Sequence, residues 1–364
     1  MRASVVMLAV LTLSACAMQP PPAPNGLSDY GRVSTLPGWT NVDATGALSS
    51  FVKSCKVLMR MPPDTKLGGS GEVYASGGQA GLWDPACQAA KVVKLGSEAS
   101  ARQFFENWFE VYQASGTATF TGYFEPEVQG SKNERPGYTV PLYAKPAVAS
   151  LASLTRTEIN DGGLYRQTPV TAYVASQVDA YMLQVQAAGR IILPNGRVLS
   201  VGFDGDNGQP YTAIGGVLVR MRALPADNLS YQSISNWLKA HPVQARAVME
   251  QNENYVYLRP LGYLPASEGP PGALGVALTA RHSVAVDRNA LPLGAPLYVA
   301  TNDPQTNAPL TLLTVAQDTG AGLSGADEVD IFFGSGPQAE QIAGAMQQPG
   351  KVYLLLPRPQ AAAP

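Results

Sequence analysis

Two aspartates near the C-terminal end have surroundings that could do chemistry. In "LTLLTVAQDTGAGLSGADEVDIFFG", Asp318 ends one apolar run and Asp330 sits inside another, with the glycine-rich "TGAGLSG" between them. Two strands joined in this way could lie side by side. A carboxyl at the edge of "VDIFF" is then partly desolvated and close to a second carboxylate. Both effects raise its pKa, so it could hold a proton near neutral pH and donate it. The other usual agents are missing. There are 2 histidines in 364 residues, and no G-x-S-x-G, H-E-x-x-H or Walker loop. Acid–base work must therefore rest on carboxylates. Asp327 and Glu328 fit a solvated turn, and turn capping is the ordinary role of a single Asp in such a loop.

Asp318-Thr319-Gly320 is also the tripeptide of aspartic proteases. That chemistry needs two such motifs sharing a proton, and Asp161-Gly162 and Asp204-Gly205 lack the middle residue. A calcium loop fails because the inner positions of "DTGAGLSGADEVD" are apolar or Gly and lack alternating oxygen ligands. No cofactor and no metal site are expected, since His241 and His282 have no ligand spacing with the cysteines.

The elements that must position these carboxylates are mostly short strands. After residue 254 the runs "YVYLRPL", "GVALT", "SVAVD", "PLYVAT", "LTLLTVAQD", "VDIFFG" and "KVYLLLP" recur with Gly and Pro punctuation, the pattern of a β-barrel. One helix, "SGPQAEQIAGAMQQ", interrupts them. Nearer the N-terminus, helical spacing runs over 45–61 and 97–113, the latter with Ser97 as N-cap. "GTATFTGYFEPEVQGS" alternates like a strand entering a cleft. Asn195-Gly196 predicts a hairpin turn, and Pro242 a break in the helical stretch 230–252. There is no internal repeat.

The first residues carry an address. "MRASVVMLAVLTLSACAMQ" has Arg2, a short apolar run and small residues before Cys16, the anatomy of a signal peptide rather than a membrane span. "LSAC" resembles a bacterial lipobox, which makes Cys16 the lipidation site; the bland alternative is an ordinary signal peptide. The proline-rich "MQPPPAPNG" would hold the protein off a membrane. By the sorting habit of such lipoproteins, Ala17 after the cysteine implies the outer membrane, facing the periplasm. About 340 residues remain, enough for two domains. Net charge is −2 with 14% charged residues, so no basic footprint for nucleic acid exists. Cys55 and Cys87 are then left in an oxidising compartment. They read as one disulfide, with two buried thiols as the alternative.

At these residues the chain resembles the membrane-bound lytic murein transglycosylase A family. The segments are "FTGYFEPEVQGS" (120–131), "AYMLQVQAAGRIILPNG…VGFDGDNGQPYTAIG" (180–215), "NENYVYLR" (252–259) and the three-aspartate region 275–336. The resemblance covers roughly residues 45–357. One departure is Gln186-Ala187-Ala188-Gly189, where the family carries Q-G-S-G.

The resemblance implies a mainly β fold with a few helices: a double-psi β-barrel, a smaller inserted β-barrel and a groove between them. The expected divisions are a signal peptide 1–15, a Pro-rich tether 16–42, the larger barrel from 43–126 and 255–358, and the insert at 127–254. It implies cleavage of the β-1,4 bond between N-acetylmuramic acid and N-acetylglucosamine with a 1,6-anhydromuramoyl product. The competing class is a scaffold that binds peptidoglycan without cutting it. By resemblance Asp330 is the catalytic acid, Asp318 its neighbour and Asp287 a support. Thr121, Gly122, Tyr123, Tyr181, Gln184, Gln186, Gly189 and Asn207 are expected to contact the glycan strand. A monomer is expected, with cell-wall synthesis or hydrolysis complexes as possible partners.

Overall fold

A computed structural model describes residues 27–114, 116–226, 229–263, 268–320 and 322–358. The signal segment and Cys16 lie outside them. The strands are, in chain order, β1 (Leu27–Arg32), β2 (Phe109–Ala114), β3 (Ala118–Glu125), β4 (Glu127–Ser131), β5 (Val140–Tyr143), β6 (Val170–Val174), β7 (Ala188–Ile192), β8 (Val198–Asp206), β9 (Val256–Gly262), β10 (Ser283–Val286), β11 (Pro296–Asn302), β12 (Pro309–Thr319), β13 (Glu328–Ser335) and β14 (Gln347–Pro357).

Six of them close into a ring in the order β3, β13, β10, β12, β11, β14, with β14 returning to β3. β10 runs parallel to β12, and β13 parallel to β3, while the other neighbours are antiparallel. This is the double-psi barrel. β14 closes it by serving two partners: Gln347 to Gly350 pair with β3, and Lys351 to Leu354 with β11. Side chains fill the inside and helices cover part of the outside, so strands such as "SVAV" are buried at every position.

The covering helix Ala44–Leu58 buries Ala44, Ala47, Leu48, Phe51, Cys55 and Leu58, the stripe expected of one helical face. Asp43 caps it by accepting from the Gly46 amide. The second helix is shorter than its spacing predicts. It spans Glu98–Trp108, and Phe109–Ala114 is β2 instead, bonded between β1 and β14. Phe109, Val111 and Ala114 are the buried positions there, and pairing on both edges overrides helical propensity. The rings of Phe51, Phe104, Phe105 and Phe109 meet at centroid distances of 5.2 to 6.4 Å, which locks both helices to the barrel.

Residues 27–42, expected in the tether, belong to the fold. β1 pairs with β2, and the Trp39 indole donates to Glu106. The stretch "GVALT" is not a strand either. Its backbone bonds fold back on the same segment, from Leu278 to Pro270 and from Gly269 to Leu278.

Cys55 and Cys87 are joined, closing a loop with sequence separation 32. Reduction is expected to cost about 3–4 kcal/mol in the chain-entropy picture. Thermal melts with and without reductant check this, and unchanged melting would count against a role for the crosslink.

The remaining strands form one insertion between β3 and β10, a sheet ordered β5-β6-β4-β7-β8-β9. It curls round a core of Leu142, Ala172, Val174, Ile191, Leu199, Val201 and Leu258. The curl brings β6 against β9, where Thr171 donates to the Leu258 carbonyl at 2.6 Å. The hairpin between β7 and β8 turns at Asn195-Gly196, with Gly196 at φ 78°. The helical stretch breaks at Pro242 into Tyr231–Ala240 and Pro242–Met249.

Candidate active site

The two aspartates meet through a third strand rather than side by side. β10 lies between β12 and β13, and its Ala285 pairs with Asp318 on one edge and Asp330 on the other. The next strand continues the row, since Asp330 pairs with Thr121 of β3. Four adjacent strands thus place Asp318, Ala285, Asp330 and Thr121 in line. At the usual interstrand spacing the two aspartate backbones are about 10 Å apart. The long loop between them crosses over β10, so adjacency in sequence does not become adjacency in the sheet.

Alternation along β13 explains how Asp330 escapes the core. Val329 and Ile331 point into the barrel and are fully buried, while Asp330 takes the opposite face and is half-buried. Its Oδ1 is closed off from solvent and has no hydrogen-bond partner among the described residues. Desolvation pushes its carboxyl up to about 7, the nearby Asp318 adds to the rise, and the Thr121 side chain opposes it. An acid so placed keeps its proton up to about neutral pH, and because the residue is only half-buried the rest of its side chain stays open to a substrate.

Asp318 is also raised by burial, but it is held by three donors. The amides of Ala273 and Thr319 give to Oδ1, each at 2.9 Å, and the Tyr123 hydroxyl gives to Oδ2 at 3.1 Å. These bonds favour the charged form, so the two carboxyls are driven to different roles. Tyr123, expected against a sugar, gives its hydroxyl to Asp318 and packs its ring on Phe332 with centroids 5.2 Å apart. Burial and the two carboxylates push its hydroxyl well above the ordinary range, so it remains a donor.

A frame around the pair was invisible in the sequence. Gln317, next to Asp318, is fully buried. It donates to the Ser50 carbonyl and Ser54 hydroxyl, and it accepts from Ser50 and Ser283. That network ties β12 and β10 to the helix Ala44–Leu58. The segment 269–278 folds over the other side. Gly272 comes so close that a Cβ there would sit 2.5 Å from the Gln317 carbonyl and 3.2 Å from the Asp318 Cβ. Asp287 accepts from Asn289 and from Gly325; it shapes its own turn and anchors the loop before β13.

The other expected glycan contacts divide. Thr121 borders Asp330. Gly122 and Gly189 are packing positions, where a Cβ would meet Ala343 at 2.8 Å and Leu183 at 2.0 Å respectively. Gln184 is buried and accepts from Arg156 at 2.6 Å. Asn207 is buried and bonds to Leu154, Glu253 and Tyr255. Tyr181 is buried and accepts from Asn252. All three hold the insert together, because folding has already claimed their polar atoms. Gln186 is half-buried at the end of the helix Gln177–Gln186. Ala187 follows in the left-handed region at φ 55°, the place where the related motif has Gly. The tight turn is kept, at about 1 kcal/mol of backbone strain.

One clamp spans the two sheets. Glu125 at the end of β3 accepts from Arg190 of β7 at 2.6 Å and from Ser335 of β13 at 2.7 Å. Arg190 also donates to the Glu268 carbonyl. The site therefore offers a desolvated carboxyl at Asp330, a second carboxyl at Asp318 fixed by three donors, and a rigid backing, with no cluster of metal-ligating side chains among the described residues.

The chain matches the MltA specific insert domain over residues 119–259 and the 3D domain over residues 282–356. It is 31% identical over 275 residues to membrane-bound lytic murein transglycosylase A of Escherichia coli K12, covering 73% of each chain. It is also similar to the crystal structure of MltA from Neisseria gonorrhoeae in its monoclinic form. There the TM-score is 0.79 and the identity 27%, with 93% of this chain and 95% of that one covered. The crystal structure of E. coli MltA with bound chitohexaose matches with a TM-score of 0.67 and 26% identity, over 86% of this chain and 90% of that one.

Proposed function

The chain belongs to the membrane-bound lytic murein transglycosylase A family, and from that premise we propose that Asp330 is the one group that moves protons in its reaction. The protein is an enzyme, a lytic transglycosylase acting on peptidoglycan. The glycan lies along the outward face of the barrel, beside Thr121 and Asp330 and against the insert. The E. coli relative carries chitohexaose, which supports a groove that takes several sugars.

Hydrolytic glycosidases divide the work between two carboxylates, one acid and one base or nucleophile. Here Asp330 gives its proton to the glycosidic oxygen as the bond to the muramic C1 breaks. The same carboxylate then takes the proton of that sugar's C6 hydroxyl as its oxygen closes on C1. The 1,6-anhydro ring forms, Asp330 is protonated again, and no water is consumed. Asp318, fixed by its three donors, carries negative character that disfavours loss of the Asp330 proton before the substrate arrives. Its charge also suits the positive character that develops at C1. Asp287 acts only through the loop it anchors.

The observation that carries this reading is the unpartnered, desolvated Oδ1 of Asp330. Mass spectrometry of digested murein tests it. Anhydro products are expected about 18 Da lighter than hydrolytic ones. Fragments of hydrolytic mass, or an intact polymer as a scaffold would leave, would count against it.

The cell location follows from the first residues. Cys16 carries the lipid anchor and holds the enzyme on the outer membrane, facing the periplasm. Among the described residues no helix is long and apolar enough to cross a membrane. Cys16→Ser is expected to move the protein from the membrane to the soluble fraction. Equal membrane retention of the variant would rule the anchor out.

A further inference from the structure

The insert contains a cavity beside the helix Gln177–Gln186. It measures about 220 Å³, below the ~300–1,000 Å³ of sites that enclose a drug-sized ligand. It is too small for a disaccharide and large enough for one small residue. Arg156 lines it, among Tyr143, Tyr181 and Tyr255. Arg156 is 3% exposed, and its guanidinium lies over two rings, 4.7 Å from the Tyr181 centroid and 5.1 Å from that of Tyr255.

Its acceptors are all neutral. Nε bonds the Asn252 carbonyl, Nη1 the Gln184 amide oxygen and Nη2 the Asn254 carbonyl. A guanidinium has five N–H groups, so one on each terminal nitrogen is uncommitted. No carboxylate among the described residues lies within ion-pair distance of Arg156. Glu250, the acid that acts on it from further off, is taken by Arg246 and Asn160. A buried cation without a counter-charge is costly, and its planar fork matches a carboxylate. Asn160 and Gln177 add amide groups at the wall. The wall is built by an irregular π-type turn, Ile159–Gly163, with Gly162 at φ 97°; such turns recur at functional sites.

We infer that this cavity binds the terminal carboxylate of a peptide, and that its ligand is the free end of a peptidoglycan stem. The tyrosines enclose the last side chain, Arg156 takes the carboxylate, and the amides take the preceding peptide bond. This rests on the transglycosylase reading, because that reading makes a stem-bearing polymer the substrate. The cavity lies apart from Asp330, so stem recognition and bond cleavage are separable.

The test is calorimetric titration of the whole protein with the tetrapeptide L-alanyl-γ-D-glutamyl-meso-diaminopimelyl-D-alanine and with its C-terminal amide. Saturable binding of the acid is expected, at least about tenfold tighter than the amide. Arg156→Lys keeps the charge but loses the fork, and is expected to bind the acid about tenfold more weakly. Gln177→Trp, an exposed position at the mouth, is expected to abolish binding by filling the entrance. Should Arg156→Lys fail to fold, the acid–amide comparison and Gln177→Trp decide. No binding of the acid, equal binding of acid and amide, or unchanged binding by Gln177→Trp overturns the inference. Cleavage of peptide-free glycan strands, followed in parallel, is expected to persist in both variants. Its absence in the unaltered protein would instead count against the transglycosylase reading, so the two failures are told apart.

Discussion

Asp330→Asn is expected to fold, to melt higher than the parent above neutral pH, and to lose at least about 10²–10⁴ in turnover of purified murein, the usual worth of a positioned proton donor. The stability gain follows from the direction of the pKa shift. Burial lifts this carboxyl from 3.8 to about 7. Stability from its protonated form is whole below the unfolded value and is lost as pH rises toward the folded one, because the unfolded chain ionises first. Asn resembles the protonated acid at every pH. The two proteins should therefore melt together near about pH 4, and the variant should lead by roughly a few degrees near about pH 8. The parent's kcat/KM should fall as pH passes about 7, because the reaction starts from the protonated acid. A variant with normal turnover would remove Asp330 from the chemistry. One that is inactive yet gains no stability at high pH would mean that the carboxyl is not desolvated.

Arg190→Ala is expected to cost on the order of 3–5 kcal/mol, the usual result of stripping the partner from a buried charge. Both side chains of this pair are almost wholly removed from solvent. Burial raises the Glu125 carboxyl, while Arg190 and Ser335 hold it down. Without Arg190 its folded pKa climbs further. Stability is then lost as pH rises from the unfolded carboxylate value, so the deficit should be larger near about pH 8 than near about pH 5. Urea midpoints at the two pH values measure it. Because the pair joins β3 to β7, activity should fall with stability, and replacing both partners by apolar residues should recover most of the loss. An equal deficit at both pH values would show that Glu125 is not the charge left exposed by the change.

What could be read in the sequence had local causes. Five of the seven apolar runs after residue 254, from "SVAVD" onward, became barrel strands because each carries its own pattern, while "YVYLRPL" became β9 of the insert, past the expected boundary at 254. The turn at Asn195-Gly196 and the break at Pro242 needed only the conformational limits of those residues. Asp330 could be singled out because a carboxyl inside "VDIFF" must lie at an edge of buried surface wherever that strand goes. The misread places had distant causes. The helix expected through residue 113 stops at Trp108, because β1 and β14 capture the residues after it. The polar atoms of Gln184 and Asn207 were claimed by Arg156 and the 253–255 turn, and no spacing announces partners so far along the chain.

The sequence by itself determined the chemistry available: few histidines, carboxylates beside glycines and apolar strands, and a lipobox-like leader. Only the tertiary structure decided how differently the two carboxyls would be surrounded. β10 enters between β12 and β13 and separates the aspartates by one strand. Three donors then gather on Asp318 and none reaches Oδ1 of Asp330. A pKa is set by solvation and by charges within a few ångströms, and those neighbours arrive from strands far apart in the chain.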